Sequence, residues 1–404
     1  MTAGVLHDVS LNYQLLWNVQ RQVAGVQLSV HPHEAKNIDC THLLATLNNL
    51  CGAQRSPLYV STASPGLLAD LLDLTPPALA QLVVPDVWLL DAAMTQRMLH
   101  AHQRGLRLVW QGEPGTHPKA AHIGYFAQNM VCLSAEEALM ALRIALRSHP
   151  ANSPRPGFAS PVRAGQVYEG VASRVLAEHC LDQHGAAALL GWPTEDVLHS
   201  YRHQRIQPDQ GVITRLLQAI QADVSMEEVE RRLGDDPTLA YRFLRYTNSA
   251  GLGLNREITA LRQGLTVLGL SRVKSWLQEQ MVHASNDLNL QPVRTSMVLR
   301  AKFMAGLLEV GEGDALKREL YLCGLLSQID LLLGEPLTSA LHGIPLPERV
   351  NAAILGKSGP YWPYLDIAAA LETPHTANTR TLCEAHGFDT EDVNLALLRT
   401  LAAL

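Results

Sequence analysis

The chain is short of charge, of aromatic rings and of paired cysteines. Charged residues make up 17% of its 404 residues and aromatics 5%, with 5 Phe in all. A core with so few rings has to be built from Leu, Ala and Val, which suits packed helices better than an aromatic-rich β sandwich. The net charge of −6 weighs against a large electropositive surface, and with it against sequence-independent nucleic-acid binding, while leaving room for a local patch. Cys40, Cys51, Cys132, Cys180, Cys323 and Cys383 form no Cys-x-x-Cys pair and no zinc-ribbon spacing. They read as small buried hydrophobes. No run reaches the roughly 18 apolar residues that span a bilayer. Met1 to Ser10 lacks the basic-then-apolar pattern of a signal peptide. The expectation is a cytoplasmic protein without a membrane segment. What is abundant is aliphatic: 47% of residues are hydrophobic, enough to fill a core.

Composition shifts along the chain. Strand and helix patterns alternate in the first half. Val23 to Val30, Pro57 to Thr62, Val83 to Leu90 and Leu106 to Trp110 read as strands. Thr41 to Leu50, Pro65 to Leu72 and Ala92 to Gln103 read as helices. Repeated strand–helix units predict a parallel sheet or a barrel. Ser148 to Pro161 carries four prolines and is expected to be a loop. The second half reads almost entirely as helix. Ser225-Met-Glu-Glu228 is a capping box. Asp236 caps the next helix, with Pro237 in its first turn. Ile258 to Leu268 and Ser271 to His283 form two helices split at Gly269, and Ala315 to Leu333 is apolar nearly all round.

The residues around that split resemble the HDOD domain. A helix ends in Asn248-Ser249-Ala250. A short loop then leads to Ile258-x-x-Leu261-Arg262-x-Gly264 and to Leu268-Gly269. Gly324 to Gly334, Leu346-Pro347 and Gly359-Pro360 extend the likeness. The whole is similar to the YuxH-type arrangement, in which a degenerate EAL domain precedes HDOD. The resemblance implies a degenerate EAL-like, TIM-type α/β barrel over 1–204 and an all-helical, HD-related domain over 205–404. It assigns Asn248, Ser249, Arg262 and Gly269 a structural or partner-contact role. It also implies a place in bacterial signal transduction, with motility, biofilm or stress responses and cyclic di-GMP networks as outputs.

The chemistry of related enzymes needs residues that this sequence replaces. An EAL phosphodiesterase gathers carboxylates around divalent metals that polarise the phosphodiester and generate hydroxide. By the resemblance, Gln27 and His31 stand at the positions of a Glu and an Arg on the first strand. The segment Val87 to Leu90 lacks the motif Glu, and the region after Leu106 lacks the Asp-Asp pair. Asp91 and Glu113 are a conceivable displaced pair, weighed against ordinary strand-end polarity. In the helical half Ser327 and Gln328 stand where an HD enzyme has its His-Asp, and neither is a good metal ligand. Gly356-Lys357-Ser358 lacks the strand–loop–helix setting of a phosphate loop. Arg242, Arg245 and Arg256 are candidates for a small basic face near the Asn248 loop, weighed against solvated helix-surface charge.

The reading is a non-catalytic signalling regulator. It binds other signalling proteins, uses no cofactor or metal, and has no membrane or nucleic-acid partner; self-association is left open. The alternatives are a cyclic-dinucleotide sensor that binds without turnover, and a metal-dependent phosphodiesterase with rearranged ligands.

Overall fold

Val9, Leu11, Tyr13 and Leu15 alternate with Ser10, Asn12 and Gln14, the period-2 pattern of a strand with two different faces. This is β1 (Val9–Trp17), a strand with no counterpart among those expected from the sequence. It forms an antiparallel hairpin with β2 (Val23–Pro32). The other strands are β3 (Leu58–Ser61), β4 (Gln81–Pro85), β5 (Leu108–Gly112), β6 (Phe126–Cys132), β7 (Val167–Glu169) and β8 (Ala188–Leu190). From β2 to β8 each strand pairs parallel with the next. β8 returns antiparallel to β1 through Leu16 and Trp17, which closes an eight-stranded barrel. The computed structural model describes residues 4–33, 38–51, 56–114, 116, 118, 120–147, 160–253, 257–308, 313–373 and 379–404. The expected proline-rich loop lies outside them as far as residue 159, and so does Arg256.

Parallel neighbours need crossovers, and helices supply them. These are α1 (Cys40–Cys51), α2 (Pro65–Leu74), α3 (Ala92–Gln103), α4 (Ala135–Arg147) and α5 (Arg174–Glu178), with α6 (Thr194–Ser200) after β8. Ser64 caps α2 through the Leu67 N–H, ahead of Pro65 at the first turn. The apolar run 83–90 does not continue as a strand. β4 stops at Pro85, and Asp86–Leu90 turns into a 3₁₀ segment that leaves Leu90 81% exposed. An apolar run alone cannot distinguish a strand from a turn that follows one.

Leu16, Tyr59, Val83, Val109, Met130, Val167, Ala188 and Leu190 pack as one cluster. They come from strands all round the ring, so the cluster fills the barrel lumen. A second cluster, including Trp110, Tyr168, Leu176 and Leu189, lies between strands and outer helices.

The rest of the chain is helical: α7 (Gln210–Gln221), α8 (Met226–Leu233), α9 (Pro237–Thr247), α10 (Leu261–Met281), α11 (Gln291–Gly306), α12 (Asp314–Leu326), α13 (Ile329–Leu333), α14 (Leu337–His342), α15 (Glu348–Gly356), α16 (Trp362–Leu371), α17 (Thr379–His386) and α18 (Thr390–Ala402). Ser225 caps α8 and Asp236 caps α9. α10 is broken at Gly269, whose φ of 72° and ψ of 153° only glycine adopts readily. The continuous helix expected over 315–333 is instead two. The Ser327 hydroxyl bonds back to the Gly324 carbonyl at 2.8 Å, and Gln328 leaves helical geometry. Such a back-bond competes with helix propagation.

Contacts divide the chain into one unit of residues 1–196 with 370–404 and another of residues 197–369. This corrects the expected second domain of 205–404, because its last stretch packs on the barrel. The reason is topological. A β hairpin has no crossover helix, so the outer face of β1 has no helix of its own connection to cover it. α18 lies there. Asn394 is fully buried, donates to the carbonyls of Leu6 and Val9 at 2.8 Å each, and accepts from the Leu11 N–H at 3.2 Å.

Candidate functional site

In barrels of parallel strands the C-terminal strand ends carry the chemistry. Side chains alternate, so the residues two beyond the lumen cluster also face inward. From β3 to β7 these are Ser61, Pro85, Gln111, Cys132 and Glu169. Gln27 is in register with Tyr59, and Ser29 with Ser61, so β2 contributes Gln27, Ser29 and His31. β1 runs the other way and adds Gln14 and Asn12, opposite Gln27 and Ser29.

This mouth is polar and nearly uncharged. Gln27 donates to the Ser61 hydroxyl at 3.3 Å, and the Ser29 and Ser61 hydroxyls lie 3.0 Å apart. Asn12 donates to the carbonyls of Ala370 and Thr373 at 3.1 Å each. Glu169 is the ring's carboxylate. Its Oε2 accepts from Gln111 at 3.1 Å and from the Cys132 thiol at 3.1 Å. Burial and then the Glu169 charge push that thiol up to about 12, so it stays protonated and donates. His31 pairs in register with Ser10, whose hydroxyl lies 2.6 Å from His33 Nε2. Burial, then Arg380, lowers the pKa of His33.

The resemblance implies divalent metals at this mouth, and the donors do not fit them. Mg²⁺ or Mn²⁺ needs several anionic oxygens. The ring offers amides, hydroxyls, a protonated thiol and one carboxylate whose Oε2 is already engaged. Among the described residues no three His, Cys, Asp or Glu side chains come together in a group that could hold a metal ion. The displaced pair does not form a cage either. Asp91 caps α3 through the Ala93 and Met94 N–H groups, and Glu113 is exposed. Asp86 accepts from the Trp110 indole at 2.8 Å.

Ser327 and Gln328 are the positions that the resemblance aligns with an HD enzyme's His-Asp. Ser327 ends α12 and Gln328 opens α13, both half-buried. Arg300 donates to the Ser327 Oγ at 3.2 Å. A fixed guanidinium there repels a cation where a metal site needs anionic ligands.

The Asn-Ser-Ala signature is a loop clamp. Asn248 donates to the carbonyls of Leu244 and Ile258 at 2.8 and 2.9 Å and accepts from the Ile258 N–H at 2.8 Å. Its φ of −102° is not left-handed; Gly253 takes that conformation, at 61°. Ser249 is exposed and its side chain caps nothing. Arg262 bridges to Glu227 and Glu230 of α8 at 3.4 and 3.7 Å. Burial raises the pKa of Glu230 against the pull of Arg318 and Arg262. Beneath these lies an ion network that single-residue motifs do not reveal. Arg294, 2% exposed, faces Asp209 at 3.5 Å and Asp236 at 3.6 Å, the carboxylates that cap α7 and α9.

Residues 206–338 match the HDOD domain model. The helical unit contains an HDOD domain. The likeness read from Asn248 to Gly269 is therefore borne out for this unit. The chain is 24% identical over 254 residues to the cyclic di-GMP phosphodiesterase CdgJ of Vibrio cholerae, covering 58% of this chain and 56% of that protein. It is 24% identical over 153 residues to the uncharacterized protein YuxH of Bacillus subtilis, covering 37% of each. The matches thus span about half or less of these relatives' lengths. Among solved structures, the MmoQ response regulator of Methylococcus capsulatus aligns with a TM-score of 0.40 and 16% identity, over 48% of this chain and 99% of that one. The EAL enzyme Bd1971 in its cGMP-bound form aligns at 0.31 and 10%, over 46% and 60%. The HDOD domain lies wholly within the unit of residues 197–369.

Sequence reasoning missed Glu169 and the cover over β1. β7 is three residues long, too short for a periodicity scan to detect. Asn394 lies in a stretch that reads as an ordinary amphipathic helix.

Proposed function

We propose that the chain is a non-catalytic signalling regulator that acts through contacts with other proteins in a cyclic di-GMP network. The observation that carries this reading is the donor set at the barrel mouth: one carboxylate, bonded by Gln111 and Cys132, among amides and hydroxyls. Among the described residues no three His, Cys, Asp or Glu side chains gather to hold the metals such a phosphodiesterase works through, which supports the non-catalytic reading. The Arg300–Ser327 contact supports the same reading for the HDOD domain. The CdgJ name supplies the network, and the family resemblance supplies motility, biofilm or stress responses as the output.

The test uses the full chain, since residues 370–404 belong with the barrel. Purified protein is incubated with cyclic di-GMP and Mg²⁺ or Mn²⁺, and its metal content is measured. No turnover and no bound metal are expected. Stoichiometric metal with linear product would establish the phosphodiesterase reading instead. Contact with protein partners is checked by cross-linking in the native host, where a discrete adduct lost on Arg262→Glu is expected. A chain that cross-links to nothing refutes the contact mode.

A further inference from the structure

The helical unit also holds a cavity of about 440 Å³ that neither Ser327 nor Gln328 lines. Its wall includes Arg205, Tyr241, Arg242, Arg245, His283 and Leu332. Three guanidiniums thus face one carboxylate, that of Glu335. Arg242 is held by neutral oxygens alone: Gln207 Oε1 at 2.8 Å, Gln280 Oε1 at 3.3 Å and the Ile206 carbonyl at 3.4 Å. The Arg245 guanidinium lies 5.8 Å from the Tyr241 ring centre, and the Tyr241 hydroxyl is anchored on the Ala340 carbonyl at 2.8 Å. Among the described residues none of the three arginines forms an ion pair with a carboxylate, whereas Arg262, Arg294 and Arg349 all do.

Arg242 is half-buried and Arg205 and Arg245 are exposed at its rim, and like charges gathered in a concave place favour an anion that joins them. Burial pushes the pKa of Arg242 down, the Asp236 carboxylate pulls it up, and the Arg205 charge adds a smaller downward push. Guanidinium forks match phosphate oxygens in geometry as well as charge. The volume suits a drug-sized or nucleotide-sized molecule. Half-buried Leu333 provides apolar surface for an aliphatic or planar part, backed by the buried Tyr241 and Leu332, and Glu335 an acceptor for a hydroxyl or amino group.

We propose that this cavity binds a small phosphorylated ligand of nucleotide size, with the phosphate on Arg205, Arg242 and Arg245 and the remainder against Leu333. The site is independent of whether the chain is catalytic, because it shares no residue with the barrel mouth.

Calorimetry on the full chain tests it with adenosine and guanosine 5′-monophosphates, inorganic pyrophosphate, and the two unphosphorylated nucleosides. At least one phosphorylated probe is expected to bind one-to-one, and the nucleosides to give no heat. Arg205→Gln and Arg245→Gln alter exposed side chains and leave the fold intact by circular dichroism. Each is expected to weaken binding about tenfold or more, with the double variant abolishing it. No heat from any phosphorylated probe at millimolar concentration overturns the proposal. So does nucleoside binding as tight as nucleotide binding, or affinity that both substitutions leave unchanged.

Discussion

Arg294 ties two helix caps of the helical unit together. It lies between two buried carboxylates, Asp209 and Asp236, which cap α7 and α9, and its Nη2 also donates to the Gln207 carbonyl at 2.6 Å. Asp236 further accepts from the Asp209 N–H at 2.6 Å, and Gln291 donates to Asp209. Removing the cation leaves two charges desolvated and uncompensated. Arg294→Met is therefore expected to destabilise the unit by about 3–5 kcal/mol, read as a lower urea midpoint; an unchanged midpoint would contradict the network's role. The thiols make a second prediction at this scale. Burial pushes Cys40, Cys132, Cys180 and Cys323 up to about 12, and Cys51 and Cys383 up to about 11, from 9.0. The native chain therefore keeps protons that the unfolded chain loses. Their stabilisation is complete below about pH 9 and is lost as pH rises toward 11 to 12. Denaturation midpoints should fall across that window. At pH 8 Ellman's reagent should find six thiols only after unfolding.

Elements carry their own dependencies. α10 turns at Gly269 with nothing within 4 Å of where a Cβ would sit, so the demand for glycine is conformational and not steric. Gly269→Ala should cost about 1–3 kcal/mol while leaving helix content by circular dichroism nearly unchanged. A loss of helix signal would mean that the two halves do not fold as separate helices. Gly269 was legible in the sequence because a Leu-Gly-Leu step interrupts an amphipathic pattern and only backbone freedom explains it. So were the caps at Ser225 and Asp236, whose spacing has a mechanism. The break after Leu326 was not legible. Its apolar residues continue straight through, and the interruption comes from the Ser327 hydroxyl and Arg300, a contact between separate helices. At the barrel mouth Gln27 and His31 were legible as residues of the second strand, but Glu169 depends on the pairing of β5, β6 and β7 to come beside Gln111 and Cys132.

At the scale of the whole molecule, the chain leaves the barrel, builds a helical unit and returns. The hairpin that opens the barrel explains the return. β1 buries Val9, Leu11, Tyr13, Leu15 and Trp17 but has no crossover helix of its own, and its ladder with β8 is two residue pairs long. Asn394 therefore meets the unpaired Leu11 N–H, and the chain at Ala370 and Thr373 receives the Asn12 amide. This dependence is long-range, which is why a boundary placed near residue 205 from the family resemblance put residues 370–404 with the helical unit, whereas their contacts are with the barrel. It sets a fragment experiment. Residues 194–371, bounded by α6 and α16, contain their own core and should fold alone with a cooperative helical transition. Residues 1–196 should stay aggregated or molten unless 370–404 are joined to them through a short linker. Within the intact chain Asn394→Ala strands two carbonyls and one N–H, at about 1–3 kcal/mol per buried group left unsatisfied. It should lower the unfolding temperature of the barrel transition and leave the helical one in place. Fragment 1–196 folding on its own would show that β1 needs no cover, and the discontinuous unit would then be two.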